Sequence, residues 1–287
     1  MLRTKNFWVI GGDPRQAALA GLLADDGHGV HTFALEQGEG MACEKTLEGA
    51  RLADCVILPL PAADGEGRLN APLSAASCPL GEIVDALRPG QLLCAGMVGP
   101  RLRELAEGRG LVLRDYFARE ELAVSNAVPT AEGAIKIAME ELPVTLHDAR
   151  ALVVGFGRLG RALAPRLRAL GARTWVAARS YPQRAMAQGM GLEAEGLERL
   201  GEWLCSFDLV VNTVPAPVLG IEELAAMKEG ALIIDLASRP GGVDMASAAA
   251  LGVRVIWALS LPGKVAPVTS GRYIKETVYH IMEELGV

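Results

Sequence analysis

Apolar residues recur along the chain in runs of four to eight bounded by glycine, proline and charge, the pattern of buried parallel strands set between amphipathic helices. Near the start, FWVIGG (7–12), a helix from Pro14 to Asp26 and GVHTFAL (29–35) spell strand, helix, strand, which folds as a right-handed βαβ unit. DCVILPL (54–60), QLLCAGM (91–97) and LVLRDYF (111–117) add three strands. The small-residue-rich stretch 61–79 reads as a surface or cleft loop. In NAVPTAEGAIKIAMEEL (126–142) apolar positions take helical spacing after a Pro-Thr start, so a helix beginning there is expected to link two domains. A second strand series follows: ARALVVG (149–155), RTWVAAR (173–179), DLVVNTV (208–214), GALIIDLA (230–237) and VRVIWAL (253–259). The closing TSGRYIKETVYHIMEEL reads as an amphipathic helix able to cross back onto the first domain.

The 287 residues are enough for two separate cores. The expected fold class is therefore α/β, with two doubly wound parallel-sheet domains, the second of them binding a dinucleotide. The first spans 1–125 and is rejoined by the C-terminal helix 268–287; the second spans 126–267. One large barrel is the competing arrangement. Although 51% of residues are apolar, no run approaches the roughly 20 residues of a membrane span. The basic N-terminal residues are followed by only a very short apolar strand, unlike a secretory signal. A cytoplasmic protein without a membrane partner is expected. The five cysteines are odd in number and widely spaced, which points to reduced thiols and to no metal site. With 28 basic and 34 acidic residues and no basic cluster, a nucleic-acid partner is excluded and a small molecule or protein is favoured.

Candidate chemistry centres on Gly155-Phe-Gly-Arg-Leu-Gly160, a G-x-G-x-x-G that follows an apolar strand, opens the helix RALAPRLRALG and precedes another strand. Gly155 permits the tight turn, Gly157 the close approach of a pyrophosphate and Gly160 the packing of helix on strand. Arg158, Leu159 and Gly160 then begin a helix whose N–H groups and dipole face the anion. Where an acidic ribose ligand would mark an NAD site, the chain has Arg179-Ser180. A cation and a hydroxyl suit a 2′-phosphate, and Arg158 could assist, so NADP is expected as cofactor with NAD as the alternative. Asn212, Thr213, Val214 and Pro215 end a strand on the same carboxyl edge and are expected to line the nicotinamide side, as are Asp235 and Ala237 on the next strand.

Arg239, just beyond, is the candidate for gripping a substrate carboxylate, because a guanidinium offers a bidentate fork. Lys264 in LPGKVAP is a second cation, and Arg15 in the Gly11-Gly12-Asp13-Pro14-Arg15-Gln16 turn a third; these three make up the expected catalytic set. Asp13 suits a helix cap. None of His28, His31, His147 and His280 falls at a strand end near the glycine loop, so none is a catalytic candidate.

The run from Asn126 to Thr269 resembles the cofactor domain of D-2-hydroxyacid dehydrogenases, with Arg239 at the position of that family's carboxylate-binding arginine. No histidine stands near Lys264, where that family carries its acid/base. A second resemblance spans nearly the whole chain. The blocks GGDPRQ, LPLPAADGEG, NAVPTAEGAI, GFGRLGR, AARS, NTVPAPVL, DLASRPGGVD and LPGKVAPVTSG together resemble the A-subunit family of dipicolinate synthase. That resemblance implies oxidation of dihydrodipicolinate to dipicolinate with NAD(P) as hydride acceptor, in the mother cell of a sporulating bacterium. It also implies a partner in a heteromeric complex, the flavoprotein-like B-subunit of dipicolinate synthase, with self-association expected as well. A 2-hydroxyacid or keto-acid oxidoreductase, or a cofactor-binding subunit without turnover of its own, are the alternatives.

Overall fold

A computed structural model describes residues 4–38, 42–75 and 77–287. The stretches 1–3 and 39–41, within the expected first domain, and Ala76, within the expected 61–79 loop, lie outside the described residues. The chain forms two compact units, Met1–Ser125 with Ala266–Val287, and Asn126–Val265.

The first unit is built from β1 (Asn6–Ile10), α1 (Pro14–Asp25), β2 (Gly29–Phe33), β3 (Cys55–Ile57), α2 (Leu80–Asp85), β4 (Leu92–Ala95), α3 (Pro100–Gly108) and β5 (Val112–Asp115). The unit boundary falls inside the long helix α4 (Glu120–Glu141). The second unit continues with β6 (Arg150–Val154), α5 (Arg158–Ala169), β7 (Arg173–Ala177), α6 (Tyr181–Gly189), β8 (Glu193–Glu195), β9 (Leu209–Asn212), α7 (Ile221–Ala225), β10 (Leu232–Asp235), α8 (Met245–Leu251), β11 (Arg254–Trp257) and α9 (Leu261–Val265). The final helix, α10 (Pro267–Leu285), belongs to the first unit.

All strand pairs in both sheets are parallel. The five-stranded sheet runs β2-β1-β3-β4-β5 and the six-stranded sheet β11-β10-β9-β6-β7-β8. Counted from β6, the latter is the 3-2-1-4-5-6 order of the Rossmann fold, with its switch point between β6 and β9. Period-two alternation explains why the central strands are apolar throughout: Ala151 and Val153 of β6 enter one core while Leu152 and Val154 enter the other. In β1, Phe7 and Val9 face one core and Trp8 and Ile10 the other.

Three features depart from the sequence pattern. The linking helix starts at Glu120, not at 126, and Pro129 lies in its interior. Glu120 and Glu121 favour this earlier start by opposing the helix dipole, and Thr130 Oγ1 donates to the Asn126 carbonyl 2.7 Å away. β3 stops at Ile57 because Pro59 and Pro61, just beyond, have no N–H to continue a ladder. β8, the Glu-Ala-Glu edge strand, buries only Ala194 and is too short and charged to leave a strand signal. The 61–79 stretch is pinned to the core through Ala62, Leu69 and Cys78. Its turn is tied by Asp64 Oδ1, which accepts from the Glu66 and Arg68 N–H groups.

The terminal helix packs along α1. Ile274, Val278, Ile281 and Met282 join Leu19, Ala20 and Leu23 in one core, and Gly271 is small enough for α10 to approach the backbone of Arg15 and Leu19. At the far end Lys275 Nζ and the Tyr279 hydroxyl donate to Asp26 at 2.6 and 2.8 Å. Those two bonds hold the Asp26 carboxyl below the usual aspartate range, so its contribution is present above the ordinary aspartate pKa and lost as pH falls through the lowered one. Asp26→Asn should therefore lower Tm most near neutrality, where that contribution is fully present, and flatten the acid side of a Tm-against-pH curve below about pH 4, where the two proteins converge. An acid limb identical to that of the parent protein would show that the pair contributes nothing.

All five cysteines are free. Cys55, Cys78 and Cys94 are buried, and burial pushes the Cys55 thiol up. Among the described residues no group of three or more His, Cys, Asp or Glu could hold a metal ion, and no helix is long and apolar enough to cross a membrane.

Candidate functional site

The glycine loop emerges from β6 beside the end of β9, at the switch point of the second sheet. Gly155 takes φ +95°, and a Cβ there would lie 2.5 Å from Thr213 Oγ1. A Cβ on Gly160 would overlap the Gly155 carbonyl oxygen, so the first turn of α5 rests directly on the loop and only glycine allows it. Gly157 differs from both: no heavy atom lies within 4 Å of where its Cβ would be. It is the N-cap of α5 and brings no side chain to the helix end, so the Leu159 and Gly160 N–H groups are left for an anion placed in that open space. Leu159 itself packs against the core. The three glycines thus meet the turn, approach and packing requirements of a dinucleotide pyrophosphate.

At the end of β7, Arg179 is exposed and its side chain makes no hydrogen bond or ion pair to the described residues. Ser180 caps α6, its hydroxyl accepting from the Gln183 N–H at 3.4 Å. Thr213 Oγ1 donates to the Val154 carbonyl at 2.9 Å, which ties the end of β9 to β6 and orients the exposed Pro215 and half-buried Val214 that follow.

Asp235 has a different task from the cofactor contact expected of it. It is 1% exposed and its carboxylate points inward, accepting from Asn212 Nδ2 (2.8 Å), the Ala237 N–H (3.0 Å) and the Gly242 N–H (2.8 Å). Asn212, also buried, accepts from the Val214 N–H and donates to the Val214 carbonyl. Ala237 is buried as well, and its carbonyl accepts from Trp257 Nε1 at 2.9 Å. This Asn212–Asp235 hub clamps both loops that leave β9 and β10. A side chain on Gly242 would overlap Asn212 and Gly241 takes φ +89°, so the returning arm of the second loop also requires glycine. Between the clamped ends only Ser238, Arg239 and Pro240 are exposed. The Arg239 guanidinium lies 5.9 Å from the Trp257 ring centroid and has no carboxylate partner among the described residues. Lys264 is exposed on α9, which follows β11 on the same carboxyl edge of the second sheet.

Arg15 departs from the expected substrate contact. Its fork is engaged inside the first unit, with Nε and Nη2 on the Asp13 carboxylate at 2.7–3.0 Å and Nη2 on the Leu60 carbonyl at 2.6 Å. Asp13 at the same time caps α1 through the Arg15 N–H. Proximity in sequence placed both residues in one turn, and burial made them each other's partner. Asn212, expected to line the nicotinamide side, is instead a buried support of Asp235, for which an Asn ending one strand beside the Asp ending the next was the available signal; Trp257 is a support that no local pattern singles out.

Residues 6–117 match the N-terminal domain of the dipicolinate synthase A-subunit, and residues 122–251 match the NAD binding domain of D-isomer specific 2-hydroxyacid dehydrogenases. The chain is 31% identical to the dipicolinate synthase A-subunit of Bacillus subtilis over 99% of its own length and 98% of that protein. It belongs to the A-subunit family of dipicolinate synthase. The crystal structure of the Bacillus subtilis dipicolinate synthase A chain superposes with a TM-score of 0.88, covering 100% of this chain and 98% of that one at 31% identity. The A-subunit structure from Bacillus halodurans gives 0.89 at 29% identity, covering 98% and 99%. Within this family the second unit is a nicotinamide-dinucleotide-binding domain of dehydrogenase type, which fits the glycine geometry above.

Proposed function

We propose that this family member oxidises dihydrodipicolinate to dipicolinate, with NADP as the preferred hydride acceptor, together with a dipicolinate synthase B-subunit in the mother cell of a sporulating bacterium. The observation that carries the reading is the pairing of an open, side-chain-free pyrophosphate cradle at Gly157 with an exposed, unpaired arginine held on the same carboxyl edge by a buried hub. The nicotinamide ring, when bound, supplies the hydride acceptor.

The protein's own residues position and pair. Leu159 and Gly160 N–H groups hold the pyrophosphate, Thr213, Val214 and Pro215 line the nicotinamide side, and Asp235 and Ala237 shape that wall from within. Arg239 pairs a substrate carboxylate through its fork, and Lys264 offers a second positive charge on the same edge of the sheet. Arg15 acts at one remove, fixing Asp13 and the Leu60 carbonyl. Loss of one hydride and one proton from the dihydropyridine ring gives an aromatic product, so the overall step needs positioning more than a strong base and proceeds without a histidine. The direct test supplies freshly generated dihydrodipicolinate and NADP to the full chain, with and without the B-subunit, and follows NADPH and dipicolinate together. Formation of both in equal amounts is expected; turnover of small keto acids instead, or no product in either mixture, would overturn the reading.

Cofactor choice gives a separate prediction. Arg179 and Ser180 stand where an acidic residue would hold a free ribose 2′-hydroxyl, so NADP should bind more tightly than NAD, and Arg179→Asp should reverse the order. Calorimetry of both cofactors with both proteins checks this, and equal dissociation constants in the parent protein would refute it.

A further inference from the structure

We propose that the first unit carries a second ligand site, on the amino edge of its sheet, for a small multivalent anion. The loops that precede β3 and β4 and the C-terminal ends of α2 and α3 surround a cleft of about 640 Å³. Three arginines line it, Arg51, Arg88 and Arg109, together with Glu48, Asp85 and the apolar Leu47 and Pro89. In a chain of net charge −6 the five charged groups of this cleft sum to +1, a local cationic surplus on an acidic protein.

None of the three guanidiniums is within ion-pair distance of a carboxylate among the described residues, although two carboxylates line the same cleft. Two of the three are nonetheless fixed in place by backbone carbonyls. Arg88 Nε donates to the Arg51 carbonyl at 3.2 Å; Arg109 Nε and Nη2 donate to the Leu87 and Asp85 carbonyls, each at 2.9 Å. The Arg51 guanidinium has no hydrogen-bond partner at all among the described residues. Tethering through Nε in Arg88, and through Nε and Nη2 in Arg109, leaves the remaining N–H donors of both without a partner among the described residues. Forks of this kind match the planar oxygen pairs of carboxylates and phosphates, and an anion placed among three like charges relieves their mutual repulsion. The carboxyl edge of the sheet, where α/β folds place their main ligand, lies at the other ends of these strands, so the cleft is separate from that edge.

The occupant is therefore a small molecule carrying at least two negative groups, phosphate or carboxylate, with room for an apolar portion against Leu47 and Pro89. The experiment uses the full chain at low ionic strength and two probes, inorganic pyrophosphate and citrate, which separate the two kinds of acid group. Either probe should raise Tm in a saturable way, while sodium chloride at matched ionic strength should not. Arg51→Gln is the clean variant, since that guanidinium supports nothing in the fold; it should weaken the effective probe roughly tenfold, the scale of one charge-assisted hydrogen bond. Arg51→Lys should fall between the two. NADP affinity, set in the second unit, should be unchanged in both variants, so a failure of the cofactor reading would show there while leaving the anion result intact. Equal stabilisation of parent and Arg51→Gln, or an effect reproduced by sodium chloride, would overturn the site.

Discussion

Gly160→Ala is expected to abolish dinucleotide binding while the protein still folds. The new methyl would overlap the Gly155 carbonyl oxygen, a backbone atom that has no rotamer to escape into. Relief requires α5 to move away from the loop by about 1 Å, and a misplacement of that size costs on the order of 100-fold in function. Overpacking of this kind destabilises by about 1–3 kcal/mol, less than the typical stability of a domain. Cofactor titration by calorimetry should thus show a loss of at least about 100-fold, and circular dichroism a retained α/β spectrum with a lower Tm. Gly157→Ala is the informative contrast. Its Cβ meets nothing in the protein itself, so Tm should hold while the methyl intrudes on the pyrophosphate. Unimpaired NADP binding in both variants would remove the glycine loop from the site.

The second large effect is expected at Arg239 and the hub beneath it. Arg239→Gln removes a charge-assisted pair worth on the order of 2–5 kcal/mol where desolvated, so dipicolinate affinity or turnover should fall at least about tenfold. Cofactor affinity should barely change, because the pyrophosphate is held at Gly155–Gly160. Asp235→Asn should give a similar loss for a different reason. Its carboxylate accepts three N–H donors, and an amide cannot accept all of them without turning one of its own N–H groups toward another donor. The loop that presents Arg239 would then lose its fixed ends. If Asp235 acts through Arg239, the double variant should be little worse than either single one, whereas independent roles would make the losses multiply. A double variant that loses product affinity by the product of the two factors, or an Arg239→Gln protein that loses NADP and keeps product, would reassign these residues.

The chain's own sequence determined the alternation of strand and helix, since short apolar runs between amphipathic segments have few other ways to bury themselves. It also determined the dinucleotide loop, because glycine spacing reports local backbone requirements that tertiary context does not alter: Gly155 needs positive φ and Gly160 needs contact with a carbonyl wherever the domain sits. Helix limits were less legible. The 126–142 pattern contains a proline that suits a helix start as well as an interior, and only packing of Leu122 into the first unit's core and Ala131, Ala134 and Ala138 into the second unit's core made one helix from Glu120 to Glu141. The short edge strand at 193–195 was invisible because its pairing depends on β7, not on any apolar pattern of its own. Side-chain roles were decided by tertiary structure most of all. Arg15 and Arg239 look alike in sequence, each following a strand in a Gly- or Pro-containing turn. Folding gave Arg15 the Asp13 carboxylate and a buried place, and left Arg239 exposed without one. Likewise Asp235 reads as a strand-end carboxylate open to ligand, and the Asn212 amide, supplied by the neighbouring strand 23 positions earlier, turned it inward. Which partner a charged side chain finds depends on residues brought together across strands, and a local pattern carries no record of that meeting.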